Sequence, residues 1–123
     1  MRLKEYIQTK RIIADGAFGT YYMSLYGDGS KPEKGLAISN LPELANITAP
    51  ERVTGIHTEY IEAGAQLIRT NTFASNTKSL LSDTEAVKEN IRAAVTCAKA
   101  AAEKAEHEIY IAGHIGPIPV EGV

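Results

Sequence analysis

The stretch TAPERVTGIHTEYIEAGAQLIRTNTF, residues 48–73, decides the fold, because it predicts a helix followed at once by a strand. Thr48 and Glu51 have the spacing of a capping box, in which the hydroxyl accepts an orphan N–H and the carboxylate reaches back to Thr48. Pro50 fits the first helical turn, where its missing N–H would have had no partner. These residues predict that the helix begins just after Thr48.

The rest of this stretch predicts the buried face of the helix and the position of the strand. Gly64 is a natural C-terminal stop, and the β-branched segment 66–73 follows it after almost no gap. The residues that recur at helical spacing before this stop are Val53, Ile56, Tyr60 and Ala63.

Similar elements flank this unit on both sides. RIIAD (11–15) and IYIAG (109–113) are short and rich in β-branched residues, so they predict two further strands. SDTE (82–85) predicts the start of a second helix, again with a capping box. The apolar face of that helix is formed by Val87, Ile91, Ala94, Ala98 and Ala101.

The predicted order is strand, loop, helix, strand, helix, strand, within one domain over residues 1–123. Helical crossovers favour parallel strands with helices packed outside them, so the fold class is α/β with about three parallel strands. Residues 2–9 predict one or two helical turns, and 19–47 predict a long connection. Such a loop is usually functional or mobile, and its order over 24–47 is left open.

Composition limits the classes of function. Of 123 residues, 44% are hydrophobic and 23% are charged, and the net charge is −2. This balance gives no reason to expect binding to nucleic acid or to an anionic membrane. The charged N-terminus lacks the apolar core of a secretory signal, and a single cysteine fits a reducing compartment. We therefore expect a cytoplasmic protein.

Alternation along the strands predicts which side chains share a face. Ile68, Thr70 and Thr72 lie on one face of the second strand, and Arg69 and Asn71 lie on the other. Helices cover the apolar face, so we expect a polar set on the opposite face near the carboxyl ends of the strands, where parallel α/β folds bind ligands. This set comprises Asp15, Arg69, Asn71 and His114.

DGAFGT, residues 15–20, follows the first strand and has two interpretations. It is an ordinary turn if Asp15 makes a local hydrogen bond and glycine supplies a positive φ. It is a binding loop if the glycines let the backbone approach a small ligand. In that case Asp15 would bind an ammonium group, and free N–H groups would bind an anion. The spacing excludes the common phosphate loops.

The remaining polar candidates are single residues. Asn71 and His114, both at strand ends, are candidates to line a site, whereas His57 is expected to pack on its helix and His107 to lie in a solvated turn. Cys97 is interpreted as a small core thiol. The spacing of these residues predicts no metal site in this chain.

Taken together, three motifs resemble the homocysteine S-methyltransferase family. They are DGAFGT after a strand, ERVTGIHTEYIEAGAQLIRTNTF in the middle, and AGHIGP after the third strand, and the resemblance covers roughly residues 11–118. It implies a (β/α)8 TIM barrel, of which this chain would be the N-terminal part. It also implies transfer of a methyl group to the thiolate of homocysteine, which gives methionine.

The resemblance also implies roles for particular residues. Asp15, Gly16, Ala17 and Phe18 would form the loop that holds the amino-acid end of homocysteine, with Asp15 at the amino group and backbone N–H groups at the carboxylate. Asn71 would lie beside the reacting centre and His114 in the third loop at the mouth, where the family more often has a small residue. Gln66 replaces an acid that is usual in the family, at a position that bears little on chemistry.

Zinc is the main point of difference from the family. There, cysteines on later strands hold a Zn²⁺ ion that keeps the substrate sulfur deprotonated. Cys97 matches none of them, and a barrel needs about 250 residues. We therefore expect the zinc ligands to lie outside this chain and the chain to be inactive alone. Dependence on cobalamin or folate is left open, because other modules would present the methyl donor.

Two other interpretations stay open. One is a non-catalytic module that binds a partner or self-associates through exposed strand edges. The other is an unrelated small α/β binding domain in which DGAFGT is only a turn.

Overall fold

Helices and short parallel strands alternate along the chain, in a computed structural model that describes residues 1–27 and 41–120. A 3-10 turn, Pro42–Leu44, precedes the third helix. The other elements are α1 (Leu3–Thr9), α2 (Gly19–Tyr26), α3 (Ala45–Thr48), α4 (Pro50–Glu62), β1 (Leu67–Arg69), α5 (Thr84–Glu103) and β2 (Tyr110–Ala112). The mixed α/β class predicted from the sequence is confirmed. No helix in the described ranges has the length and apolar character needed to cross a membrane.

The sheet is built on β1. β1 pairs in parallel with β2, with Leu67 opposite Tyr110 and Arg69 opposite Ala112. On the other side of β1, Ala14 forms a parallel bridge with Leu67, and the N–H of Asp15 donates to the Leu67 carbonyl at 2.9 Å. The three predicted strand segments therefore lie side by side with parallel direction.

All three strand segments are shorter than predicted. The segment 11–15 contributes a single bridge residue, because the N–H of Ile13 donates to the side chain of Gln66 and not to a strand carbonyl. β1 ends at Arg69, because the N–H of Thr72 bonds back to the carbonyl of Thr70 at 2.9 Å and closes a turn. Side-chain alternation therefore stops at Arg69.

The predicted connection 19–47 contains regular structure at both ends. α2 occupies its first residues, where the rings of Tyr22 and Tyr26 lie one turn apart, tilted by 49° with centroids separated by 5.1 Å. The 3-10 turn and α3 occupy its last residues. The prediction of a continuous loop is thus wrong at both ends, and the part from 28 to 40 lies outside the described residues.

The two predicted capping boxes are wrong in detail. Thr48 is the last residue of α3 and its hydroxyl donates to the Leu44 carbonyl at 3.0 Å, so it does not cap α4. At the start of α5 the cap is Asp83, one residue later than predicted, and its carboxylate accepts from the N–H of Ala86 at 2.8 Å. The end of α4 is as predicted, because Gly64 has a φ of +115° that few other residues tolerate.

Packing of α4 and α5 on the sheet forms the main core. Ile68 has no exposed surface and lies in one cluster with Ile61 of α4, with Ala98 and Ala101 of α5, and with Ala65 of the short link before β1. This confirms that the face of β1 that carries Ile68 is the one covered by helices. Two residues assigned to the buried faces, Ala63 and Ile91, are exposed.

A second cluster lies beneath α2 and α3. Cys97 of α5 packs there with Ala45 and Val53, and Phe18 and Tyr22 cover them. The Cys97 thiol donates to the Pro50 carbonyl at 3.6 Å, and burial raises its pKa. The interpretation of Cys97 as a core thiol is confirmed.

His57 is fully buried between this cluster and the first loop. Its ring lies against Phe18 with centroids 5.0 Å apart, and neither ring nitrogen has a hydrogen-bond partner among the described residues. Burial lowers its pKa from 6.5 to about 4, although the nearby charge of Asp15 acts in the opposite direction. His57 is thus a packed neutral histidine, as predicted, and His107 is exposed, also as predicted.

We predict that Asp83→Ala lowers the free energy of unfolding by about 1 kcal/mol, because the first turn of α5 loses its side-chain acceptor. Glu89→Ala, which removes an exposed carboxylate from the second turn of α5, is the matched control and should change it by less than about 0.5 kcal/mol. Urea unfolding followed by circular dichroism measures both. An equal or larger loss for Glu89→Ala would contradict the assignment of the cap.

We predict that His57 makes the protein acid-sensitive. Its pKa is lower in the folded than in the unfolded state, so the unfolded state binds more protons from about pH 6.5 down to about pH 4, and stability falls across that window. Between about pH 7 and pH 4.5 the wild type should lose about 2.5 kcal/mol more than His57→Leu. Urea unfolding at each pH measures this.

His107 provides the control for the acid effect, because its side chain is exposed in the folded protein. The variant His107→Leu should keep the full wild-type loss. An equal loss in His57→Leu would show that His57 is not the group responsible.

Candidate functional site

A cavity of about 1050 Å³ opens at the carboxyl ends of the parallel segments. Three loops meet there: the one after Ala14, the one after β1 and the one after β2. All six residues predicted to line a site are among its walls: Asp15, Gly16, Ala17, Phe18, Asn71 and His114. The structure therefore brings the predicted set together around one space.

Asp15 is tied to Arg69 by both carboxylate oxygens. Its Oδ2 accepts from the backbone N–H of Arg69 at 2.9 Å, and its Oδ1 accepts from Arg69 Nε at 3.0 Å. The Asp15 side chain is 1% exposed, whereas that of Arg69 is 40% exposed. A substrate amino group would have to share these oxygens, so the role predicted for Asp15 stays a prediction.

The loop Gly16–Phe18 is held from two sides. Arg69 Nη2 donates to the Gly16 carbonyl at 3.0 Å, and the Tyr60 hydroxyl donates to the Ala17 carbonyl at 2.6 Å. Phe18 faces the core, so only part of its ring reaches the cavity. The backbone N–H groups of residues 16–18 donate to no acceptor among the described residues. Because α2 begins at Gly19, these N–H groups lie at the positive end of a helix dipole.

Asn71 belongs to a buried amide network. Its Nδ2 donates to the Pro42 carbonyl and to Asn46 Oδ1, both at 3.0 Å, and Asn46 Nδ2 donates back to the Asn71 carbonyl at 2.8 Å. Asn90 of α5 joins the network through its Oδ1, which accepts from Asn46 at 3.1 Å. Because β1 ends before Asn71, its side chain turns toward α3, contrary to the prediction that it points away from the helices.

Asn71 still borders the cavity, and its side-chain oxygen accepts no hydrogen bond among the described residues. Its amide nitrogen is fully used by the network. Of its polar side-chain atoms, Oδ1 is thus the one that can meet a ligand.

His114 belongs to a loop that is bound to the loop after β1 through main-chain contacts. Its N–H donates to Thr70 Oγ1 at 3.3 Å, and its carbonyl accepts from Thr72 Oγ1 at 2.7 Å. Its ring lies edge-on against Phe73, with centroids 5.2 Å apart. Gly116 approaches the Phe73 carbonyl so closely that a Cβ there would collide with it. The two loops therefore act as one wall of the cavity.

Three charged residues of the cavity wall, Arg69, Glu43 and Lys78, were not assigned to the site from the sequence. The alternation of side chains along the strand placed Arg69 on the same face as Asp15, and this was the signal that could have assigned it to the site. Glu43 is 4% exposed, burial raises its pKa, and its Oε2 has no partner among the described residues. Glu43 lies in the predicted loop, so no sequence pattern pointed to it.

The described residues do not fit a zinc site. Within 1–27 and 41–120, no group of three or more His, Cys, Asp or Glu side chains could hold a metal ion. Cys97 is enclosed in the second core cluster, away from the cavity walls. This chain offers a large cavity whose walls are mostly apolar with a few polar groups, and its described part adds no thiolate to it.

Comparison with known proteins agrees with this geometry. The methionine synthase of Mycobacterium leprae (strain TN) is 28% identical over 120 residues, which is 94% of this chain and 10% of that protein. The chain therefore spans about a tenth of the length of this curated relative. The sequence model of homocysteine S-methyltransferases matches residues 12–120, nearly all of the chain. The chain belongs to the homocysteine S-methyltransferase family.

Proposed function

We propose that the cavity binds homocysteine and that this chain supplies substrate-binding loops to a methyltransferase that forms methionine. The observation that carries the proposal is the meeting of three separate loops around one cavity at the strand ends. The loops are the same three that carry the family motifs. Membership of the family supports methyl transfer to homocysteine as the reaction class.

The walls of the cavity support a division of roles. Residues 15–18 would hold the amino-acid end of homocysteine, because the N–H groups of residues 16–18 have no acceptor among the described residues and suit a carboxylate. Asn71 Oδ1 would lie beside the reacting sulfur. His114 would border the mouth, since its loop forms the opposite wall.

We also propose that the fold is the N-terminal part of a (β/α)8 barrel. The parallel order of Ala14, β1 and β2, with α4 and α5 packed over Ile68, supports this assignment. In such barrels the site is formed by loops after the strands, which is where this cavity opens.

The thiolate chemistry needs a group that the described residues do not supply. A thiol at neutral pH is mostly protonated, and a metal-bound thiol is not. In the proposal, a Zn²⁺ ion would keep the homocysteine thiol deprotonated, and its ligands would lie outside the described residues. The residues of this chain then bind and orient the amino acid and take no part in metal binding.

A single substitution at the cavity tests substrate binding. Ala17 is exposed and lines the cavity, so Ala17→Glu places a bulky anion there without disturbing the core. Because the new carboxylate repels and displaces the substrate carboxylate, homocysteine affinity in isothermal titration calorimetry should fall at least about tenfold.

The matched control is Ala86→Glu, the same change at an exposed position in the first turn of α5 that is not among the residues of the cavity wall. An acid is favourable at a helix N-terminus, so folding and homocysteine affinity should both be kept. Loss of binding in both variants, or in neither, would contradict the proposed site.

We predict that residues 1–123 alone form no methionine from homocysteine. The reason is that the described residues hold no metal site to activate the sulfur. The measurement is methionine detected by mass spectrometry with methylcobalamin, betaine or S-methylmethionine as the donor. Methionine above the rate without protein would refute this prediction.

Self-association is a second candidate function. It is favoured by large apolar side chains left on the surface beyond β2, among them Ile115 and Ile118, which are 95% and 56% exposed. Light scattering on the purified chain tests it, and a monomer over the accessible concentration range would count against it.

A further inference from the structure

Arg69 is a cation that the fold holds in one position at the cavity. Its Nε is bound by Asp15 and its Nη2 by the Gly16 carbonyl, each at 3.0 Å. A guanidinium carries five N–H donors, and these contacts use two of them. The side chain is 40% exposed and lines the cavity, and its other three N–H donors have no acceptor among the described residues.

The surroundings of this guanidinium also favour an anion. The N–H groups of residues 16–18 and the start of α2 border the same cavity, and they carry partial positive charge. Because Arg69 is hydrogen-bonded to the Gly16 carbonyl, the guanidinium and this loop are direct neighbours. Asp15 offsets one unit of charge, but its side chain is 1% exposed and both of its oxygens already accept hydrogen bonds from Arg69.

We propose that Arg69 binds the α-carboxylate of the amino-acid substrate, with Asp15 as the positioning residue that holds the guanidinium. The inference rests on the proposed function and adds the side chain that selects an amino acid over other thiols. A planar guanidinium offers a carboxylate two parallel hydrogen bonds, and holding it in advance reduces the entropy lost on binding.

Lys78 is the other cation of the cavity wall, and it is less suited to this role. Its ammonium makes no hydrogen bond to the described residues, and its residue is exposed. A flexible ammonium acts as a point charge and lacks the fork that matches a carboxylate. Lys78 therefore serves as the matched control for a positive charge at the cavity.

The test compares two ligands on the same purified chain. L-homocysteine carries the carboxylate, and 3-aminopropane-1-thiol is the same molecule without it. In isothermal titration calorimetry the wild type should bind homocysteine about 10- to 100-fold more tightly than the amine, the range of a charge-assisted hydrogen-bonded pair. Arg69→Gln should lower this ratio several-fold, toward the smaller preference that the N–H groups of residues 16–18 supply, and Arg69→Lys should give an intermediate ratio.

The ratio separates recognition from folding. A variant that is merely less well folded loses affinity for both ligands equally, so its ratio stays at the wild-type value. Asp15→Asn should lower the ratio in part, because the guanidinium is held less firmly. Lys78→Gln should leave it unchanged, and a fall in the ratio equal to that of Arg69→Gln would overturn the proposal.

If Arg69→Gln does not fold, Arg69→Lys replaces it, because lysine keeps the charge and lacks the fork that matches a carboxylate. A ratio for Arg69→Lys that is no lower than that of Lys78→Gln would overturn the role of Arg69 and leave the proposed function standing. Equal affinity of the wild type for the two ligands would overturn both the role of Arg69 and the carboxylate role of residues 16–18. Absence of binding to homocysteine, with the chain folded by circular dichroism, would overturn the role of Arg69 and the proposed function together.

Discussion

The ion pair between Asp15 and Arg69 is the interaction on which the site depends. One carboxylate accepts hydrogen bonds from the main chain and from the side chain of Arg69, so it joins the first loop to the end of β1. Arg69 returns a contact to the Gly16 carbonyl. A buried carboxylate without its cation is strongly unfavourable. The position of the first loop relative to the end of β1 therefore depends on both members of this ion pair.

Much of this arrangement could be predicted from local sequence. The side-chain period of two placed Ile68 toward the helices and Arg69 with Asp15 on the opposite face, which the structure confirms. The carboxyl ends of parallel strands lie at one edge, so the residues that follow them had to meet. The three loops therefore came together as expected, although the strands themselves are short.

Other features depend on contacts that local patterns do not encode. The network of Asn46, Asn71 and Asn90 joins α3, the loop after β1 and α5, and each of its amides looks unremarkable in its own segment. The same holds for Glu43, which is buried by tertiary packing. Thr48 fits a capping box in sequence, but α3 ends at that residue and its hydroxyl bonds backward. Tertiary contacts decided each of these cases.

The close approach of Gly116 to the Phe73 carbonyl has an evolutionary consequence. Any side chain at position 116 forces the main chain of the neighbouring loop outward, and the width of the mouth changes with it. Positions 73 and 116 should therefore vary together among homologues, with glycine retained wherever the two loops remain in contact. A relative that has lost this glycine would have a wider entrance and would accommodate a bulkier donor or a larger thiol.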